Sequence, residues 1–402
     1  MKKHYLFFSN HLSLKPDTAH EIHDVLCANA AANIGYSAVL TYPDQTSGRY
    51  NPIAWIAPFK LQKPDRTFTE FYDTQEHLKI APLPLPWLSD RTSGKFTNSS
   101  TIVCKYYLPI HILSKTKLVH TRNWNFAKAA IKNEIPVIYE SHYYQETFFE
   151  KEIVSSPLFQ VAITQSKLTQ ENLVRCGMPV EKAIALHNGF ERSFLIRQPQ
   201  EAENWRRELL KNGKSQLVVY SGALYKFKGV DLLIEVAKEL PEIQFVVTGG
   251  TESQVIAYQE LSQQKGVDNI TFLGWILPRQ RLVSLFQAAD ILAHPHCSGK
   301  EADFTNPVKF FQYIASGTPI VSTTIAPLLE FKLPQLAMDW CEPDDPKQFS
   351  DCLRSALKRY PRKIEGYTEN IEFGQQFSWE NRIEKILSYV DEQMRPAIVN
   401  SN

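Results

Sequence analysis

Short apolar runs alternate along most of this chain with segments whose apolar residues recur every three to four positions. In the first half the runs are Tyr5 to Phe8, Ser37 to Leu40, Leu118 to His120, Pro136 to Tyr139, Gln160 to Ile163 and Ala183 to Leu186. Helical spacing follows the first run from about Ala19, with Ile22, Val25, Leu26 and Asn29 on one side, and returns near 124–132. The second half repeats the rhythm with runs at Leu217 to Tyr220, Phe245 to Val247, Ile270 to Leu273, Ile291 to Ala293 and Pro319 to Val321. Its helical segments fall near 230–240, 279–289, 307–316 and 378–394. An apolar run suits a strand buried on both faces, and parallel strands need crossover helices. The pattern predicts an α/β fold with two doubly wound parallel sheets.

With 402 residues the chain can hold two such domains. The polar stretch RSFLIRQPQEAENWRRELLKNGKSQ carries the predicted junction, giving domains over 1–195 and 196–375 and a closing helix and tail over 376–402. Residues 44–115, rich in proline and aromatics as in KIAPLPLPWLSD, declare no elements. The 44 basic and 43 acidic residues leave a net charge of +1, without the basic excess that marks a nucleic-acid partner. No run approaches the roughly 20 apolar residues of a membrane span. The N-terminal MKKHYLFFSNHLSLKPD has too brief an apolar run for a signal core, so a cytoplasmic location is expected. Six cysteines lie at 27, 104, 176, 297, 341 and 352, with no CxxC pair, and read as free thiols of a reducing compartment. Lys60 to Tyr72 mixes aromatic and basic residues; peripheral membrane contact and a solvated loop both fit it.

Three strands of the second half stop at glycine, in SGALYKFKG, VVTGG and FLGW. Ligands of parallel sheets bind outside the carboxyl ends of strands, where glycine lets backbone approach closely. Ordinary strand-to-helix turns look the same singly; three together suggest a shared cleft. Lys228, just before Gly229, stands where an ammonium and helix amides can neutralise phosphate, and Lys226 reaches for the same space. Solvated surface lysines are the alternative. In TNPVKFFQYIASGTPIV, Asn306 suits an N-cap, Pro307 a first helical position and Gly317 a C-terminal cap. The first turn of such a helix favours an exposed anion by about 0.3–1 kcal/mol. Fingerprints of dinucleotide binding (GxGxxG), of phosphate-loop ATPases (GxxxxGK[ST]) and of nucleophile elbows (GxSxG) are missing. His20-Glu21-Ile22-His23 falls short of HExxH because Asp24 follows, so its histidines read as helix residues and no metal ligand is assigned.

The order of these strings resembles glycosyltransferase family 4, retaining enzymes of the GT-B fold. SGALYKFKGVDLLIEV is similar to the family's G-R-L-x-x-x-K-G turn and helix. VVTGG, FLGW, AADILAHPH and NPVKFFQYIASGTPIVST follow in the family's order, and AITQS, ALHNGF and VIYESH are similar strings in the first half. The resemblance spans nearly the whole chain and is strongest over 160–335. It implies two Rossmann-like domains facing across a cleft, with the C-terminal helix crossing back to the first domain. It also implies sugar transfer from a nucleotide-sugar donor, by family frequency a UDP-sugar, to a hydroxyl acceptor: glycan, lipid, metabolite or protein. Neither a cofactor nor a metal is implied. By position, Lys228 would hold the donor diphosphate and stabilise the leaving group, supported by Lys226. Gly274, Trp275 and Ile276 would meet the base. Asn306, Pro307 and Val308 would line the phosphate end of the helix. Gln312 falls on the glutamate that bonds the donor ribose, and His142 on the histidine that faces the transferred sugar. Gly222, Gly249, Asp303 and Lys309 complete the donor side, and Ser13 and His20 lie in the loop near the acceptor.

Three positions depart from the family. Ala223 replaces the arginine of the first turn, Gln312 the ribose glutamate, and Phe304 the first acid of the paired-glutamate pattern, with Asp303 or Glu301 as stand-ins. They leave a second reading, a catalytically weak glycosyltransferase-like partner subunit or sugar-binding protein. An epimerase or hydrolase on the same fold is a third. Because an amide bonds hydroxyls only as a neutral partner, Gln312→Glu is expected from sequence to keep or improve donor binding.

Overall fold

The computed structural model describes residues 3–12, 19–44, 52–85, 98–303 and 306–399. Two compact units are formed, one from Met1–His187 with Trp379–Asn402 and one from Asn188–Ser378. Of the sequence-assigned site residues, Ser13 lies outside the described residues, as do the side chains of His20 and Asp303; so does the variant position Phe304.

The first unit is built on seven parallel strands: β1 (His4–Phe8), β2 (Ala38–Asp44), β3 (Lys79–Pro84), β4 (Thr116–Thr121), β5 (Val137–Glu140), β6 (Phe159–Thr164) and β7 (Ala183–Ala185). Their order is β3-β2-β1-β4-β5-β6-β7, so the direction of winding reverses between β1 and β4. β1 is buried on both faces. Leu6 and Phe8 join Val39, Val119 and Val137 in a core that includes Phe126, Ala127 and Ala130 of the helix Trp124–Lys132. Tyr5 and Phe7 alternate to the opposite face, where both meet the His120 ring. The helices Ala19–Asn33 and Trp379–Ser388 pack on one another, and Asn33 Nδ2 donates to Glu380 Oε1 at 2.9 Å. The predicted last helix thus ends at Ser388, and a separate turn covers Glu392–Met394.

Two segments of this unit were opaque in the sequence. KIAPLP is strand β3, and it carries Pro82 and Pro84 because it is an edge strand, where missing N–H groups cost no ladder bonds. Within Lys60 to Tyr72, Asp65 caps the helix Arg66–Tyr72 by accepting from Phe68 N at 2.7 Å, and Phe68, Phe71 and Tyr72 are buried. The aromatics that suggested membrane contact therefore serve the core. Among the described residues no helix is long and apolar enough to cross a membrane.

The second unit has six parallel strands: β8 (Gln216–Ser221), β9 (Ile243–Thr248), β10 (Ile270–Gly274), β11 (Ile291–His294), β12 (Ile320–Thr323) and β13 (Met338–Cys341). Their order, β10-β9-β8-β11-β12-β13, reverses between β8 and β11. Strand alternation again builds two cores. Leu217, Val219 and Leu292 face Leu285, Phe286, Phe310 and Phe311, while Val218, Tyr220 and Ile291 face Leu233, Val236, Phe349 and Leu353. The charged stretch after Arg192 is no linker. It holds the helix Pro199–Leu209, whose Ala202, Trp205 and Leu209 are buried, with Trp205 Nε1 donating to the Arg281 carbonyl at 3.1 Å.

Candidate active site

In the second unit the three glycine turns are laced together. Gly222 N donates to the Thr248 carbonyl (3.0 Å), and Gly249 N and Thr248 Oγ1 both donate to the Gly274 carbonyl (2.7 and 2.6 Å). A Cβ on Gly249 would stand 2.1 Å from the Gly222 carbonyl oxygen, and φ there is +107°. Gly222, Gly249 and Gly274 therefore form one rim at adjacent strand ends. Trp275 is exposed beside it and Ile276 half-buried.

Across the switch point, the turn after β8 lies on the turn after β11. A Cβ on Gly229 (φ +75°) would sit 1.8 Å from the Pro295 carbonyl oxygen, and Cys297 N donates to the Phe227 carbonyl at 2.9 Å. This contact sets Lys228 beside His294 and His296. The Lys228 ammonium rests over the Phe227 ring, 4.6 Å from its centroid, and burial pushes its pKa down to about 7. His294 and His296 are buried with ring centroids 3.9 Å apart. Burial, then Lys228, pushes His294 down to about 3; burial, then His294 and Lys228, holds His296 well below its ordinary value. Lys226, by contrast, has an exposed side chain, so the structure does not bring it into this cluster.

The helix Val308–Ala315 abuts this cluster through Phe310, whose ring centroid is 5.7 Å from that of His294. Its N-cap is Pro307, not Asn306. Asn306 Oδ1 instead accepts from Asn188 N (2.9 Å), and Asn188 Nδ2 donates to the Asn306 carbonyl (2.7 Å). Gly317, at φ +70°, takes the left-handed position just past the helix as expected. Further along, Gln312 is fully buried and donates from Nε2 to Glu191 Oε2 at 2.7 Å. Arg279 pairs with the other Glu191 oxygen. Burial opposes ionisation of Glu191, yet Arg279, Lys309 and Gln312 hold its carboxyl below the usual range. Burial and Arg279 push Lys309 down to about 7 against the pull of Glu191. Since a carboxylate only accepts, Gln312 must present its amide N–H₂ to Glu191, which leaves Oε1 as a buried acceptor with no partner among the described residues.

The first unit carries a second constellation near its own switch point. Glu140, at the end of β5, is wholly buried. Its Oε1 receives His142 Nε2 (2.6 Å), His23 Nε2 (3.1 Å) and Arg382 (2.5 Å), and its Oε2 receives His120 Nε2 (3.0 Å). Burial disfavours the Glu140 charge, but Arg382, His23 and the two other histidines hold it well below the usual carboxylate range. Burial and the charges on Arg122 and His23 keep His142 neutral. With its proton on Nε2, directed at the carboxylate, His142 keeps a free electron pair on Nδ1 for a hydroxyl. His120 is fixed the same way and accepts from Tyr5 OH through Nδ1 at 3.0 Å.

His23, Glu140 and His142 also lie close enough to suggest a metal site. Two ligands held at 2.0–2.2 Å in a tetrahedral zinc site stand roughly 3.4 Å apart, well beyond the 2.6 Å between His142 and Glu140. Arg382 already occupies the carboxylate. The three histidine side chains are joined as a hydrogen-bonded cluster around Glu140.

Sequence reasoning assigned His142, Lys228, Lys309 and Gln312 but missed the groups that fix them: Glu140, His23, His120 and Arg382 in one unit, Glu191, Arg279, His294 and His296 in the other. Several stood inside the strings already noted. Glu140 is in VIYESH, two residues before His142, and both histidines are in AADILAHPH.

Buried neutral histidines tie stability to pH. Between about pH 6.5 and pH 3 the unfolded chain protonates position 294 and the folded chain does not, so stability falls as pH falls. The slope is about 1.4 kcal/mol per pH unit for each such histidine. Thermal unfolding at pH 7.5 and 5.5 is expected to show a lower midpoint at pH 5.5, and a smaller drop in His294→Phe. An equal drop in both proteins would contradict this burial.

The two doubly wound parallel α/β sheets match a GT-B architecture. HepE of Anabaena, solved with UDP and glucose, superposes with a TM-score of 0.65 at 14% identity, over 96% of this chain and 100% of that one. Sucrose-phosphate synthase of Thermosynechococcus elongatus gives 0.65 at 15% identity, over 96% and 98%. Residues 201–371 match the family model Glycosyl transferases group 1. The chain is also similar to D-inositol 3-phosphate glycosyltransferase of Corynebacterium aurimucosum, 29% identical over 191 residues, 44% of this chain and 43% of the relative. Alpha-galactosylglucosyldiacylglycerol synthase of Streptococcus pneumoniae is 28% identical over 159 residues, 37% of this chain and 42% of the relative. These matches span less than half of each curated relative.

Proposed function

We propose that this protein is a retaining glycosyltransferase that moves a sugar from a nucleotide-sugar, with UDP-sugars first in line, to a hydroxyl acceptor. The observation that carries this reading is the half-buried Lys228 ammonium at the switch point of a segment matching the group 1 glycosyl transferase model, with no carboxylate to neutralise it among the described residues. An anion is the natural partner of such a group, and the charge that grows during transfer is on the departing diphosphate. Fixed cations and amides aimed at that charge act where water is excluded. No protein nucleophile is assigned; a donor phosphate oxygen takes the acceptor proton as the new bond forms on the face the diphosphate leaves. His142 orients the sugar through Nδ1. Because lysine and helix amides supply the positive charge, no metal is called for.

The experiment is turnover of a panel of nucleotide sugars in EDTA, with the anomeric configuration of the product read by NMR. The names of the relatives place a polyol phosphate and a glycolipid in the acceptor screen. Turnover with the anomeric configuration retained is expected. Inverted product, or activity that returns only with a divalent ion, would overturn the mechanism. The Gln312–Glu191 bond and Ala223 favour one second reading, a partner subunit that binds donor without turning it over. Tight donor binding without release of sugar would select it.

A further inference from the structure

His294 ends β11 and His296 follows it. Both are 2% exposed, and His294 Nε2 and His296 Nδ1 are buried without a hydrogen-bond partner among the described residues. Leaving a buried polar atom unmatched is destabilising, so two such atoms on neighbouring rings call for a ligand. Their surroundings say which kind. Phe227 edges the His296 ring at 6.1 Å, the Phe227–Gly229 turn lies directly on Pro295, and Lys228 rises from that turn. His294 is anchored from behind by Ser322 Oγ, 3.2 Å from Nδ1. A metal ion would meet the ammonium; an anion accepts from a histidine N–H and from the ammonium together.

We infer that His296, held in place by the His294 ring packed against it, binds the diphosphate of the donor beside Lys228, donating a ring N–H to a phosphate oxygen. This rests on the nucleotide-sugar reading above and adds two residues to it. His296 is the contacting group and His294 a positioning residue.

The test is calorimetric titration of UDP, GDP, ADP and uridine into the full chain and into His296→Phe. Phenylalanine keeps a ring against Phe227 and His294 and removes both ring nitrogens. The diphosphate that binds the wild type is expected to bind His296→Phe about tenfold more weakly, with uridine affinity unchanged and the thermal midpoint equal or higher. A histidine that served only the fold would lower the midpoint and leave the diphosphate affinity alone. His296→Asn, which retains an N–H, is expected to recover most of the loss, and His296→Leu is read the same way as phenylalanine if that variant fails to fold. Unchanged diphosphate affinity in the apolar variants overturns the inference alone. A wild type that binds none of the diphosphates overturns the donor reading, and this site with it.

Discussion

Replacing Lys228 with methionine is expected to lower the transfer rate by about 10²–10³, the usual cost of removing one donor aimed at developing charge. The same change is expected to leave the thermal midpoint at pH 7 equal or higher. Methionine fills much the same volume, and burial already disfavours the ammonium, whose pKa stands near 7 instead of 10.5. The sign of the pH dependence follows. Between about pH 7 and 10.5 the unfolded chain holds a proton at position 228 that the folded chain has lost, so wild-type stability rises with pH there. Lys228→Met should flatten that rise. A variant that loses activity and stability together would place Lys228 in the core and not in the site.

Gln312→Glu, expected from sequence to keep or improve donor binding, is expected from the structure to destabilise the second unit by about 2–3 kcal/mol near pH 8. The new carboxylate would face Glu191 Oε2, which now receives the Gln312 amide at 2.7 Å. Two buried like charges in contact cannot both ionise without cost, and Arg279 is already committed to Glu191. A loss of that size lowers the midpoint by about 5 °C or more in a unit of this length. The loss should shrink as pH falls toward 5, where the pair can share a proton, and should be relieved in the double variant with Glu191→Gln. Gln312→Glu as stable as the wild type at pH 8 would show that Gln312 does not depend on Glu191.

What could be read from the chain alone follows from which residues announce themselves locally. Continuous apolar runs such as HYLFF and QLVVYS identified strands because parallel strands are buried on both faces. Glycines 222, 249 and 274 marked adjacent strand ends, and at Gly249 a Cβ would stand 2.1 Å from the Gly222 carbonyl oxygen, which only glycine tolerates. KIAPLP was opaque because prolines argue against a strand until the strand is known to lie at an edge. The helix Pro199–Leu209 was opaque because its charged face outnumbers its three buried residues. The site shows the same division. Lys228 sits in a motif. Arg382 reaches Glu140 from 242 residues away, and Gln312 reaches Glu191 across 121, distances over which spacing carries no signal. Asn306 misled because its preference for helix caps was outweighed by a tertiary bond to Asn188.

The most direct test of the central claim is calorimetric titration of UDP-, GDP- and ADP-sugars into the purified chain in EDTA, repeated with Lys228→Met. The account predicts saturable binding of one donor class by the wild type, weakened at least tenfold in the variant. Binding of that donor with equal affinity by both proteins, or of none by a folded wild type, would contradict it.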